Sequence, residues 1–191
     1  FMTLLFACSG EQSKKSQAND PLELRERAHR LSQKIIITDG HVDLPYRMAK
    51  KGFMSSNSVE DVSIETVGDF DYPKAKIGGL DAPFMSIYVP AALQKSGGAK
   101  AFADSLIDMV GRLPQAFPNL FASAGSPSEV KGNFEKALIS LPLGMENGAP
   151  IESDLANVKY FFDRGIRYIT LTHSLDNEIC DSSYDTSEDT W

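Results

Sequence analysis

The chain has 191 residues, 42% of them apolar and 24% charged, with a formal net charge of −7. That length suits one domain with a sizeable core, and the acidic balance excludes the basic footprint of a nucleic-acid binder. No apolar run reaches the roughly 18 residues that a membrane-crossing helix needs, and two cysteines, Cys8 and Cys180, make no disulfide framework.

The chain opens FMTLLFACSG. Leu5-Phe6-Ala7-Cys8 is similar to a bacterial lipobox, in which a small residue precedes a cysteine that is lipidated and becomes the new N-terminus. The bland alternative is an apolar N-terminus with an incidental cysteine. We expect residues 1–8 to be the end of a truncated lipoprotein signal, since the chain starts at Phe1 and has no basic leader. Residues 9–20, polar and Ser-rich, then read as a flexible tether. A lipid anchor at Cys8 implies a place in the bacterial cell envelope, periplasmic or on the outer surface.

Residues 21–191 are expected to hold the folded part. Pro21 to Lys34 reads as a helix capped by Asp20, with Leu24, Ala28 and Leu31 on one face. Ile35 to Ile37 is a β-branched run that reads as a buried strand, broken at Asp39-Gly40. Tyr46 to Gly52 suits a short helix or loop, residues 57–68 a helix capped by Ser58, and Asp69 to Gly79 a loop. Leu80 to Pro90 is a second strand. Gly97 to Phe117 is a long amphipathic helix that Pro114 and Pro118 end. Ser126-Pro127-Ser128-Glu129 is a capping box opening a helix to about Leu138. Ile139 to Met145 is a third strand, Ile151 to Arg164 a helix capped by Ser153 and stopped by Gly165, and Arg167 to Leu171 a fourth strand. The acidic tail from Asp176 shows no periodicity.

Strands alternating with helices argue for an α/β fold with a parallel sheet. Polar groups stand at three strand ends: His41 and Asp43, Glu146, and His173. Side chains gathered at the carboxyl ends of successive strands are the pattern of a (β/α)8 TIM-type barrel. Residues i and i+2 of extended chain point the same way, so His41 and Asp43 converge, and imidazole with carboxylate suits a borderline cation such as zinc. Each residue also has a plainer reading: His-X-Asp as a turn, Glu146 as a turn residue before Asn-Gly, His173 as a packed or capping side chain. His29, among arginines on the first helix, reads as a solvated side chain.

Four segments carry a resemblance: DGHVDLP at 39–45, KIGGLDAPFMSIYVP at 76–90, LGMENGAPIESDL at 143–155 and GIRYITLTHS at 165–174. In order and spacing they resemble the membrane dipeptidase (renal dipeptidase) family of zinc metallopeptidases, which belongs to the amidohydrolase-type barrels. The resemblance covers the chain from about Lys34 onward. It implies hydrolysis of dipeptides, with a D-residue tolerated at the C-terminal side, through a hydroxide held between two zinc ions. By motif His41 and Asp43 match ligands of the first zinc, and Glu146 matches the carboxylate bridging both. His173 matches a histidine that binds substrate and stabilises the oxyanion, so Glu146 and His173 are the catalytic candidates.

The family's second zinc site needs two further histidines, and its substrate clamp an Arg and an Asp, all downstream of the match to His173. The chain has three histidines in all, and a full barrel takes about 250 residues. The expectation is therefore the N-terminal half of a barrel, about four βα units, with an incomplete second metal site and no activity in isolation. For the full-length protein a homodimer is a further expectation. Two other readings stand beside this one. Another metal hydrolase of the amidohydrolase superfamily would usually open with His-X-His, where this chain has Asp43. A non-catalytic surface lipoprotein with a remnant barrel would have no need of an intact His41, Asp43, Glu146 and His173.

Overall fold

The computed structural model describes residues 20–186, so Cys8 and the lipobox segment lie outside the described residues. The chain divides into two compact units, residues 1–35 and 36–191. In the first, helix α1 (Pro21–Ser32) forms as its sequence demands: Asp20 Oδ1 accepts the Leu22 N–H at 3.0 Å and Pro21 starts the first turn. Its leucines Leu22, Leu24 and Leu31 are exposed.

The second unit is built on parallel strands. Strand β1 (Ile37–Val42) pairs with β2 (Leu80–Tyr88), β2 with β5 (Leu143–Glu146), and β5 with β6 (Ile166–Ile169), giving the order β1-β2-β5-β6. Two short strands, β3 (Phe121–Ser123) and β4 (Ile139–Leu141), form a second parallel pair. Strands β4 and β5 are separated only by Pro142, which has no N–H to give to a ladder; its carbonyl accepts the Met85 N–H at 2.8 Å. The third expected strand is therefore two segments, and β3 is additional. The expected burial of the Ile35–Ile37 run is not found. Ile35 is exposed and β1 is half-buried at best, because among the described residues β1 pairs on one side only.

Between the strands run α2 (Leu44–Lys50), α3 (Tyr72–Gly78), α4 (Ala92–Ser96), α5 (Ala99–Gly111), α6 (Leu113–Ala116), α7 (Pro127–Glu135) and α8 (Ala156–Asp163). The long helix expected over 97–117 is split because Pro114, in the first turn of α6, cannot donate back along the helix. The helix expected at 57–68 is absent. There side chains take the backbone donors instead, Asp61 Oδ1 accepting the Ser63 N–H at 3.0 Å. The loop expected at 69–79 contains α3, capped by Asp71 and closed by Gly79 at φ 77°. Ser153 does not cap α8; a short 3-10 turn at Ala149–Ile151 precedes it, and Asp154 accepts the Ala156 N–H.

Strand β2 alternates between two faces. Met85 and Ile87 point into the core with Leu44, Met48, Leu106, Met109 and Met145, all essentially inaccessible. Each such side chain contributes about 2 kcal/mol of burial free energy. Phe84, Ser86 and Tyr88 take the opposite, inner face, and the candidate residues collect at its carboxyl end.

Candidate metal centre

Three strand ends build the site. His41 is the fifth residue of β1, and Asp43 follows the strand as the residue before α2, where its side chain makes no capping bond. Glu146 ends β5 and lies opposite Tyr88 of β2 in register. His173 stands four residues past β6. Asp43 is outside the strand, so the two-residue alternation does not explain the convergence with His41; the turn from β1 into α2 brings the carboxylate round instead.

His41 Nε2 lies 3.4 Å from Asp43 Oδ1 and 3.2 Å from Glu146 Oε2. The other oxygen of Glu146, Oε1, is 3.4 Å from His173 Nε2. One donor atom each from His41, Asp43 and Glu146 falls within 4.8 Å of the others. Ligands at zinc distances on tetrahedral corners lie about 3.3 Å apart, the spacing His41 makes with both carboxylates. Two anions meet here, and among the described residues neither Asp43 nor Glu146 pairs with a lysine or arginine. A site of that charge favours a cation.

Glu146 is the most enclosed member, its side chain 19% exposed against 40% for His41, 62% for Asp43 and 39% for His173. Ser86, fully buried on β2, donates its hydroxyl to Glu146 Oε2 at 3.2 Å. Asn147 then turns the chain sharply at φ 74°, a left-handed conformation that asparagine tolerates better than most residues. That turn is fully tied. The Asn147 N–H donates to Thr170 Oγ1, its Nδ2 donates to the Val89 carbonyl, and its Oδ1 accepts from the Ala149 N–H and Asn177 Nδ2.

Aromatic rings wall the site. Tyr88 stands edge-on to Tyr46 at 4.9 Å and to His173 at 5.1 Å between centroids. Burial raises its phenol pKa, and nearby Tyr46, Glu146 and Asp43 raise it further. The His173 carbonyl accepts the Ser182 hydroxyl at 2.7 Å, which anchors the loop that carries the imidazole. The structure thus brings together the four residues that the sequence singles out. Sequence reasoning missed Ser86, Tyr88, Asn147 and Tyr168. Ser86 and Tyr88 had a signal, since they share one face of β2 at alternate positions and Ser86 interrupts a run of apolar residues.

A profile of the membrane dipeptidase family, peptidase family M19, matches residues 25–190. Among curated relatives, Dipeptidase 3 of Rattus norvegicus is 30% identical over 156 residues, covering 81% of this chain and 30% of that protein. Dipeptidase ataJ of Aspergillus terreus is 28% identical over 170 residues, covering 83% of this chain and 40% of that protein. The probable dipeptidase PvdM from Pseudomonas aeruginosa superposes with a TM-score of 0.72 at 20% identity, over 86% of this chain and 41% of that one. A metallo peptidase from Rhodobacter sphaeroides, liganded with a phosphinate mimic of the dipeptide L-Ala-D-Ala, superposes at 0.60 with 21% identity, over 75% of this chain and 47% of that one. At those identities the solved structures show a common fold, a parallel α/β barrel matched over less than half its length. The chain spans 30% to 40% of the length of these two curated relatives.

Proposed function

This chain belongs to the membrane dipeptidase family, peptidase family M19, and on that premise we propose that His41, Asp43 and Glu146 hold zinc for the hydrolysis of dipeptides. The observation that carries the reading is the meeting of one imidazole nitrogen and two carboxylate oxygens within 4.8 Å of one another, the imidazole 3.4 and 3.2 Å from the two carboxylates, with no lysine or arginine paired to either among the described residues. The donor set fits the metal. When bound, zinc supplies Lewis-acid polarisation of the scissile amide and an acidified water.

The chain's own groups do the rest. His41 and Asp43 bind from the end of β1. Glu146 turns Oε2 to His41 Nε2 at 3.2 Å, where it would hold the metal beside His41 and Asp43, and Oε1 to His173 Nε2 at 3.4 Å. The Ser86 hydroxyl fixes the carboxylate's rotation. His173, steadied by Tyr88 and Ser182, donates an N–H to the negative charge developing on the scissile carbonyl oxygen.

The resemblance assigns two further histidines, downstream of the match to His173, to the second metal position, and the remaining histidine of this chain, His29, stands upstream on α1. We therefore assign turnover to a polypeptide of family length and only the first metal position to this chain. The test measures zinc content and L-Ala-D-Ala hydrolysis. The chain of 191 residues should take up about one zinc ion, with three protein ligands and one open position, and cleave nothing. A family-length polypeptide that includes it should cleave. No zinc uptake would remove the metal site, turnover by the chain alone would remove the division of labour, and a zinc-loaded but inert long form would remove the dipeptide substrate.

The lipid anchor at Cys8, with attachment to the bacterial cell envelope, remains a proposal that rests on the Leu5-Phe6-Ala7-Cys8 pattern. Mass spectrometry of the N-terminal peptide from the native producer tests it. A diacylglyceryl-modified Cys8 supports the anchor, and an unmodified thiol refutes it.

A further inference from the structure

We propose that Tyr168 is a positioning residue for the metal centre, a strap across the inner face of the sheet that holds the peptide carrying His41. The inference rests on the proposed metal role of His41. Tyr168 sits on β6, and its hydroxyl donates to the Gly40 carbonyl on β1 at 2.7 Å. These are the two end strands of the order β1-β2-β5-β6. Three strand spacings in a flat sheet come to about 14 Å, so a bond from one tyrosine across that order requires a curled sheet, with the ring lying across its inner face.

The ring has a seat made for it. A Cβ added to Gly144 on β5 would overlap the Tyr168 ring, so glycine is what lets the ring lie flat on that strand. On β2, Phe84 packs beside it at 5.4 Å between centroids. The ring therefore touches both central strands and delivers its hydroxyl to the far one.

What it grips is the peptide unit joining Gly40 to His41. The β1–β2 register is irregular between Asp39 and Val42, so the regular ladder does not fix that unit. Side chains hold it at both polar ends: its carbonyl accepts from Tyr168, and its N–H donates to Asp39 Oδ1 at 2.9 Å. His41 leaves the chain at this peptide, so a fixed peptide fixes where Nε2 stands relative to Glu146. An ordinary phenol is protonated at neutral pH and burial raises the Tyr168 pKa, so its hydroxyl stands as the donor of this bond.

The experiment is an equilibrium zinc titration of the full chain against a chromogenic chelator, with thermal melts and His41 amide exchange measured on the same samples. Tyr168→Phe removes only the hydroxyl. Gly144→Ala keeps the hydroxyl and evicts the ring. Each should weaken zinc binding about tenfold, as lost support behind a metal ligand does. The double variant should be no worse than either single one, and His41 amide exchange should speed up in both. A purely structural tyrosine would lower the melting temperature and leave the zinc dissociation constant unchanged. If His41→Ala abolishes uptake while both variants bind zinc within twofold of the parent, the strap is refuted and the metal site stands. If His41→Ala leaves uptake unchanged, the metal site is refuted and the strap with it.

Discussion

Glu146 sits where four constraints meet. Its backbone ends β5, its Oε2 faces His41 and accepts from Ser86, its Oε1 faces His173, and the next residue turns the chain left-handed. Glu146→Gln keeps the shape and removes the anion; zinc affinity should fall more than tenfold while the melt barely moves, read by chelator competition and calorimetry. Asn147, the next residue, has the opposite profile: it is not among the proposed ligands but is tied by four hydrogen bonds at a positive φ. Asn147→Ala should cost about 3 kcal/mol by denaturant melt, from buried groups left unpaired and backbone strain. Asn147→Gly relieves the strain alone and should fall between Ala and the parent.

At the scale of elements, α3 shows what a cap does. Asp71 is completely buried, its Oδ1 accepts the Lys74 N–H, and its Oδ2 accepts the Thr66 N–H and pairs with the Lys74 ammonium at 2.8 Å. Burial would raise the carboxyl's pKa, but Lys74 and the two backbone donors outweigh it and hold it at about 2 against an ordinary 3.8. A depressed carboxyl stabilises the fold fully above its ordinary value and loses that contribution as pH falls toward 2. Asp71→Ala should cost at least about 1 kcal/mol at pH 7 and flatten the acid limb of the melting curve, which a pH series of thermal melts reads.

The strand ends were legible because a polar residue closes or follows an apolar run in each: His41 near the end of β1 with Asp43 just past it, Glu146 closing β5, and His173 after β6. The capping box was equally plain, and Ser126 Oγ accepts the Glu129 N–H as its sequence says. The elements misread are those that tertiary contacts decide. Nothing local marks the tripeptide of β3 as a strand apart from its pairing with β4. Asp61 and Ser63 look compatible with a helix until their side chains take the local backbone donors. The Tyr168 bond to Gly40 spans 128 residues and leaves no trace in any short window.

For the whole molecule, a metal that binds the folded chain and not the unfolded one must stabilise it. Zinc at about one hundred times its dissociation constant should add about 2.7 kcal/mol, seen as a higher melting temperature that His41→Ala abolishes and a chelator reverses. The same linkage applies to the longer relatives only through the part of the fold they share with this chain, which is under half of each solved structure compared.

Zinc X-ray absorption on the loaded chain decides whether His41, Asp43 and Glu146 together bind the metal. The expected first shell is nitrogen and oxygen alone at about 2.0 Å, with the outer scattering of one imidazole. A sulfur scatterer at about 2.3 Å, or a shell without imidazole, would contradict it.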